Sequence, residues 1–248
     1  MSHPLSILLR RVVASLFILC AAAVQTAFAV EVHERVPYGP EARQWLNLYL
    51  TPNATDRPVF LYAHPNGSTA KLPRRVVTPL VEAGVSIVSW ESVEKLSNPR
   101  QAQTVEADAE RMFAWLKANA DRYGLDMSRV VVGGGSRGTV ASWALAHSGD
   151  PAIKGLYMMQ ALPRRAWQFP DVFDPLDYVI AESPPLYLVY LMPPGKDSHD
   201  AALGQRVVER YRELGIGDTA TLVHSLRQTQ NSDRYQFLPA FFHRVTQD

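Results

Sequence analysis

Residues 129–146 read R-V-V-V-G-G-G-S-R-G-T-V-A-S-W-A-L-A, and no other stretch restricts the chain so tightly. A β-branched run, Val130 to Val132, enters three glycines, Ser136 follows, and a helical pattern leaves from Thr139. A strand that turns straight into a helix forces a strained backbone on the residue at its tip, and side chains two positions either way would collide. Gly134-Gly135-Ser136-Arg137-Gly138 meets that demand as G-x-S-x-G, a turn that would hold the Ser136 hydroxyl above the sheet edge. Two other readings share these letters. Gly133 to Gly138 also spells G-x-G-x-x-G, the pattern of a dinucleotide-binding turn. That reading expects an acidic residue at the end of the next strand, whereas the run 155–162 ends in Pro163 and Arg164. The third reading is a tight glycine turn with no chemistry.

The surroundings of the turn bear on the choice. The 248 residues are 47% hydrophobic and 20% charged, enough apolar material for one sizeable core. Residues 1–29 stand apart: Arg10 and Arg11 precede an apolar run over 12–24, and Ala27-Phe28-Ala29 follows as an A-x-A cleavage pattern. This is the layout of a secretory signal peptide, shorter than a comfortable membrane span. The context of Arg10-Arg11 does not favour a twin-arginine signal, and Leu19 is bulky for a lipoprotein site at Cys20. Cleavage after Ala29 would leave a domain of residues 30–248 without cysteine. Its net charge falls from +1 to −1, because Arg10 and Arg11 leave and no acidic residue does. Such a chain needs no disulfide staple, carries no global basic field for nucleic acid, and has no later membrane span. It is expected in the periplasm or the medium. Asn53-Ala54-Thr55 and Asn66-Gly67-Ser68 match glycosylation sequons, which matter only in a host that glycosylates exported chains.

From residue 30 onward, strand and helix patterns alternate. Strand-like runs fall at 30–36, 44–50, 58–64, 86–91, 129–133, 155–162, 186–192 and 219–225; helical patterns fall at 74–83, 105–123, 139–147, 201–214 and 234–245. The later strands are nearly continuous apolar runs, as parallel strands buried on both faces require. Two opening strands joined by a Pro37-Gly39-Pro40 turn, then βα repeats, give an eight-stranded, mostly parallel sheet with helices on both faces.

A serine turn after the fifth of eight strands is the layout of the α/β-hydrolase fold. The stretch W-L-K-A-N-A-D-R-Y-G-L-D-M-S-R-V-V-V-G-G-G-S-R-G resembles the carboxylesterase and feruloyl-esterase-like members of that superfamily. Their segment before the nucleophile also reads as a Trp-Leu helix, a Gly-x-Asp-x-x-Arg turn (here Gly124 to Arg129) and a valine-rich strand. Pro184-Pro185, leading into a strand that ends near Gly195-Lys196-Asp197, is a second point of likeness. The resemblance implies an esterase with no cofactor, a small-molecule ester as substrate, and a minimal cap.

It also implies roles for particular residues. Ser136 would be the nucleophile, with the backbone N–H of Arg137 as one oxyanion donor. The other would come from His64-Pro65-Asn66-Gly67-Ser68, where the resembled esterases carry His-Gly-Gly-Gly; Pro65 has no N–H, but Asn66 and Gly67 keep theirs. His64 is read as a packed loop residue. Asp197, just past the seventh strand, is the expected acid, and its competitor Asp200 has the simpler role of helix N-cap. The base should follow the eighth strand, but 227–232 contains no histidine. His224, at the end of that strand, is the expected base, or else a strand-end histidine satisfied by backbone. His243 sits in the last helical pattern, and His199 could serve only outside the usual order. If His224 cannot reach Ser136, the alternative is an impaired hydrolase-fold protein that binds an ester-like or aromatic ligand.

The segment 163–183, where larger lipases insert a lid, carries Trp167, Phe169, Phe173 and Tyr178 beside Arg164 and Arg165. These aromatics either rim a pocket for a short acyl or aryl ester or pack on the sheet. Arg137 could meet an acidic substrate group or be solvated, and Trp90-Glu91 could line the same pocket. No metal-ligand motif such as H-E-x-x-H and no phosphate loop occurs.

Overall fold

A computed structural model describes residues 29–165, 167–168, 173–229 and 233–247. The leader expected over 1–29 therefore lies outside the described residues except for Ala29, as does Phe169. The strands are β1 (Glu31–Pro37), β2 (Trp45–Leu50), β3 (Arg57–Ala63), β4 (Ser86–Trp90), β5 (Leu125–Gly135), β6 (Ile153–Met159), β7 (Leu186–Val189) and β8 (Ala220–Val223). They form one sheet in the order β1-β2-β4-β3-β5-β6-β7-β8. β2 is antiparallel to both β1 and β4, and every other neighbouring pair is parallel. This is the α/β-hydrolase architecture expected from the sequence.

Alternation along the strands divides the core into two layers. Val59, Leu61, Val130 and Val132 face one layer, which holds the buried sides of α2 (Pro99–Ala118), α4 (Gly138–Ala146) and α6 (Ala201–Glu213). Phe60, Tyr62 and Val131 face the other, with α1 (Arg74–Glu82) and α7 (Leu238–Thr246). Two one-turn helices, α3 (Ala120–Tyr123) and α5 (Pro175–Tyr178), complete the set of α-helices among the described residues. The described aromatics of 163–183 pack rather than rim a pocket: Phe173 is buried with its ring centroid 5.9 Å from that of Tyr178. Trp167 and Tyr178 both lie against the same core layer.

Among the boundaries that differ from expectation, two have clear local reasons. α2 starts six residues before Val105, because Asn98 accepts from the Gln101 N–H at 3.0 Å while Gln101 Oε1 accepts from the Ser97 N–H at 2.8 Å. With Pro99 in the first turn, this reciprocal pair is a complete N-terminal cap. β5 starts at Leu125, inside the expected turn. Its register against β3 runs Pro58↔Asp126 and then Val59↔Val130, so residues 127–129 bulge outward. Asp126 holds that bulge by accepting from Ser128 and Arg129. Replacing Asn98 by Ala should lower the unfolding free energy by about 1 kcal/mol, read from chemical denaturation, because the exposed first turn loses its cap.

Candidate active site

The parallel strands β3 and β5 end side by side, and the site forms at that edge. Ser136 directly follows β5 with φ of 52°, a left-handed conformation that a residue with a Cβ rarely adopts. Ser136 N–H donates to Met159 O at 3.0 Å and Thr139 N–H to Ser136 O at 3.1 Å, which fixes the turn from both sides. Its two glycines are needed for close approach. A Cβ on Gly134 would stand 2.4 Å from Ala63 O, and one on Gly138 would stand 2.2 Å from the same oxygen.

Ser136 Oγ lies 2.8 Å from Nε2 of His199. The other ring nitrogen, Nδ1, is 3.4 Å from Asp197 Oδ1 and 3.3 Å from Ser198 Oγ. A carboxylate can only accept, so the tautomer protonated on Nδ1 faces Asp197 and leaves Nε2 free to accept from the serine. Burial works against ionisation of Asp197. The His199 N–H, the Ser198 hydroxyl and the His199 ring outweigh it, and hold the carboxyl below its usual range. Asp197 is therefore the anion the ring needs beside it.

The structure thus joins Ser136 to a different histidine from the expected one. His224 is exposed, and its Nδ1 sits 2.9 Å from Ser225 Oγ. It follows β8, the edge strand, three places from β5 in the sheet. At the usual strand spacing that is about 14 Å, too far for a residue with no returning loop. His243 points elsewhere too, with Nε2 2.6 Å from Ala83 O. The signal for His199 was present in the sequence as Asp197-Ser198-His199 beyond β7. Expecting the base after β8 hid it.

Asp200 takes the capping role. Its Oδ1 accepts from the Ala202 N–H at 3.0 Å and the Gly195 N–H at 2.7 Å, and its Oδ2 meets Arg164 at 2.7 Å. One buried carboxylate so closes the whole 195–202 loop, which carries His199. Arg164 N–H also donates to Ser198 O at 3.0 Å, pinning the loop from the β6 side.

The opposite wall is the loop after β3. Among the described residues, no chain atom accepts from the N–H groups of Arg137, Asn66 or Gly67. The first of these opens α4, where unsatisfied amides and the helix dipole favour negative charge. The Asn66 side chain is occupied otherwise: it donates to Leu96 O and accepts from the Leu96 N–H, both at 3.0 Å. This reciprocal pair couples the loop to residues 91–98. Glu91, whose side chain is 2% exposed, braces it from beneath. Its carboxylate meets Arg43 at 2.5 Å, the Ala70 N–H at 2.9 Å and His64 Nε2 at 3.4 Å. Burial opposes ionisation of Glu91, but these partners together hold its carboxyl below the usual range. His64 packs in the loop, with Nδ1 2.9 Å from Pro65 O. Trp90 lines a cavity of about 40 Å³ beside the Ser136 turn (the elbow), together with Asn66, Leu96, Val105, Arg137 and Ala141. On the other side, Tyr62, Pro65, Arg75, Arg234 and Tyr235 line an open cleft of about 740 Å³. No group of residues suited to hold a metal ion occurs among the described residues.

With this geometry in view, comparison with known proteins agrees on the fold. No protein-family profile and no curated protein matches the sequence. Solved structures do match. A truncated carbohydrate esterase from gut microbiota superposes with a TM-score of 0.67 at 12% identity, over 91% of this chain and 99% of that one. Esterase LipW from Mycobacterium marinum gives 0.64 at 19% identity, over 98% and 90%. A bacterial heroin esterase gives 0.64 at 17% identity, over 95% and 91%. The chain has the α/β-hydrolase fold that these esterases share.

Glu91 provides a pH-dependent test of the bracing. A carboxyl held low in the folded state adds stability above its unfolded pKa, and that stability is lost as pH falls through the folded value. Glu91→Gln should therefore cost roughly 1–3 kcal/mol at neutral pH, with the gap to wild type closing in acid, measured by denaturation at several pH values.

Proposed function

We propose that this protein hydrolyses carboxylic esters through an acyl-enzyme on Ser136, with His199 as general base and Asp197 as the acid that orients it. The observation that carries the reading is the 2.8 Å contact between Ser136 Oγ and His199 Nε2 at the tip of a strained strand-to-helix turn. Ser136 Oγ attacks the ester carbonyl while His199 Nε2 takes its proton. The N–H groups of Arg137 and of Asn66 or Gly67 receive the developing oxyanion. His199 then returns the proton to the leaving alcohol, and a water, activated by the same nitrogen, releases the acid and frees the serine. His199 replaces His224 in this account. The rival reading, a ligand-binding protein without a catalytic histidine, loses its premise once an imidazole stands against the serine.

That the similar structures carry esterase names supports the same chemistry. The 40 Å³ cavity beside the elbow favours a short acyl group. We further propose export, on the charged–apolar–small pattern of residues 1–29.

Hydrolysis of 4-nitrophenyl acetate tests the assignment. Ser136→Ala and His199→Ala should each lower kcat/KM by about a thousandfold or more, and His224→Ala should leave it within about twofold. A fluorophosphonate should label wild type and fail on Ser136→Ala. Full activity in His199→Ala, or its loss in His224→Ala, would reverse the choice of base.

A further inference from the structure

One apolar side chain in the loop after β4 is turned against the course of its neighbours. Residues 91–98 lie outside helix and strand, and Lys95 and Ser97 are exposed, yet Leu96 between them is buried, 3% exposed. Its backbone is clamped from both sides of the candidate site. Asn66, in the loop after β3, donates to Leu96 O and accepts from the Leu96 N–H, both at 3.0 Å, and the Arg137 guanidinium donates to the same carbonyl. Further back the loop is rooted as firmly: Ser92 Oγ donates to buried Asp108 at 2.5 Å, and Arg43 Nε to Ser92 O at 2.7 Å. These bonds hold the main chain and ask nothing of the leucine side chain.

Leu96 lines the cavity of about 40 Å³, with Val105 and Ala141 as further apolar wall and with Asn66, Arg137 and Gly138 beside the Ser136 turn. Close-packed interiors leave few voids larger than a water molecule, so this one is unusual for its place in the core layer. In the proposed hydrolysis the stereochemistry gives it a use. His199 reaches Ser136 from the β7 side of β5, and the leaving alcohol must lie against His199 to receive its proton. The acyl chain then extends the other way, toward β3 and β4, where the cavity stands. A water-sized group needs about 10–15 Å³ of such a cavity, so this one takes a chain end of roughly one or two carbons.

We propose that Leu96 sets the acyl length this site accepts. Its side chain closes the cavity, so acetyl and propionyl groups enter, while butyryl and longer groups meet the leucine. This rests on the esterase reading above and narrows its substrate to esters of the shortest carboxylic acids. Leu96 takes no part in the chemistry. It excludes longer chains from the position in which their carbonyl would sit over Ser136, and one methylene too many in a tight apolar pocket is worth about 10–200-fold.

The 4-nitrophenyl esters of acetate, propionate, butyrate and hexanoate share a leaving group and test it with the full chain. Wild type should lose about tenfold or more in kcat/KM between propionate and butyrate. Leu96→Val trims the wall slightly and should raise the butyrate-to-acetate ratio severalfold. Leu96→Ala opens it further and should raise the hexanoate-to-acetate ratio by about tenfold or more, whereas Leu96→Met, close in volume, should keep the wild-type profile. The ratio within each variant is the readout, because a loosened loop slows every ester alike and a shortened wall favours the long ones. Leu96→Val carries the test alone if Leu96→Ala does not fold. A wild type that takes hexanoate as readily as acetate, or variants with an unchanged chain-length profile, would overturn the proposal while leaving the esterase reading intact. Turnover of none of the four by wild type would remove the esterase reading itself, and this one with it.

Discussion

The carbonyl oxygen of Ala63 is the point against which the active edge is built. Gly134 enters the turn and Gly138 leaves it within a Cβ's reach of this one atom, so β3, β5 and α4 meet with no side chain between them. That closeness compels the left-handed backbone at Ser136, and the surrounding sheet stabilises what would be an unfavourable conformation in isolation. The hydroxyl is aimed by main-chain packing. Side-chain contacts then decide what faces it.

The two walls around the serine are set by two buried carboxylates with the same physical logic. Glu91 gathers Arg43, the Ala70 N–H and His64, fixing the loop that runs against the Ser136 turn. Asp200 gathers Arg164 and the N–H groups of Gly195 and Ala202, fixing the loop that carries the imidazole. In each case a charge removed from water is satisfied by several donors, the condition under which burial of a carboxylate is tolerated. Neither acid touches the serine. Both hold geometry that the proposed ester chemistry uses.

Much of this was legible in the residues. The glycine spacing around Ser136 carries its own steric reason, and the apolar strand runs with intervening helical patterns determined the sheet and its two covered faces. The start of α2 was also written, in Asn98-Pro99 and Gln101, but as capping chemistry rather than as apolar period. The histidine beside the serine was harder. A histidine's partner depends on which loops meet across the sheet, and sequence distance from β8 favoured His224, whereas the fold brings the β7 loop to the elbow. The aromatics of 163–183 posed a similar difficulty: Phe173 and Tyr178 show the same composition whether they rim a pocket or fill a core.

Asp197 and His199 sit two residues apart on one short arc, and this has a mechanical consequence. In their proposed roles as acid and base the two cannot drift relative to each other, so their pairing needs no alignment between distant segments. The serine, by contrast, belongs to the rigid sheet. A shift of the arc as a body would carry imidazole and carboxylate away together, with their mutual contact intact, and silence the hydroxyl without unpairing a charge.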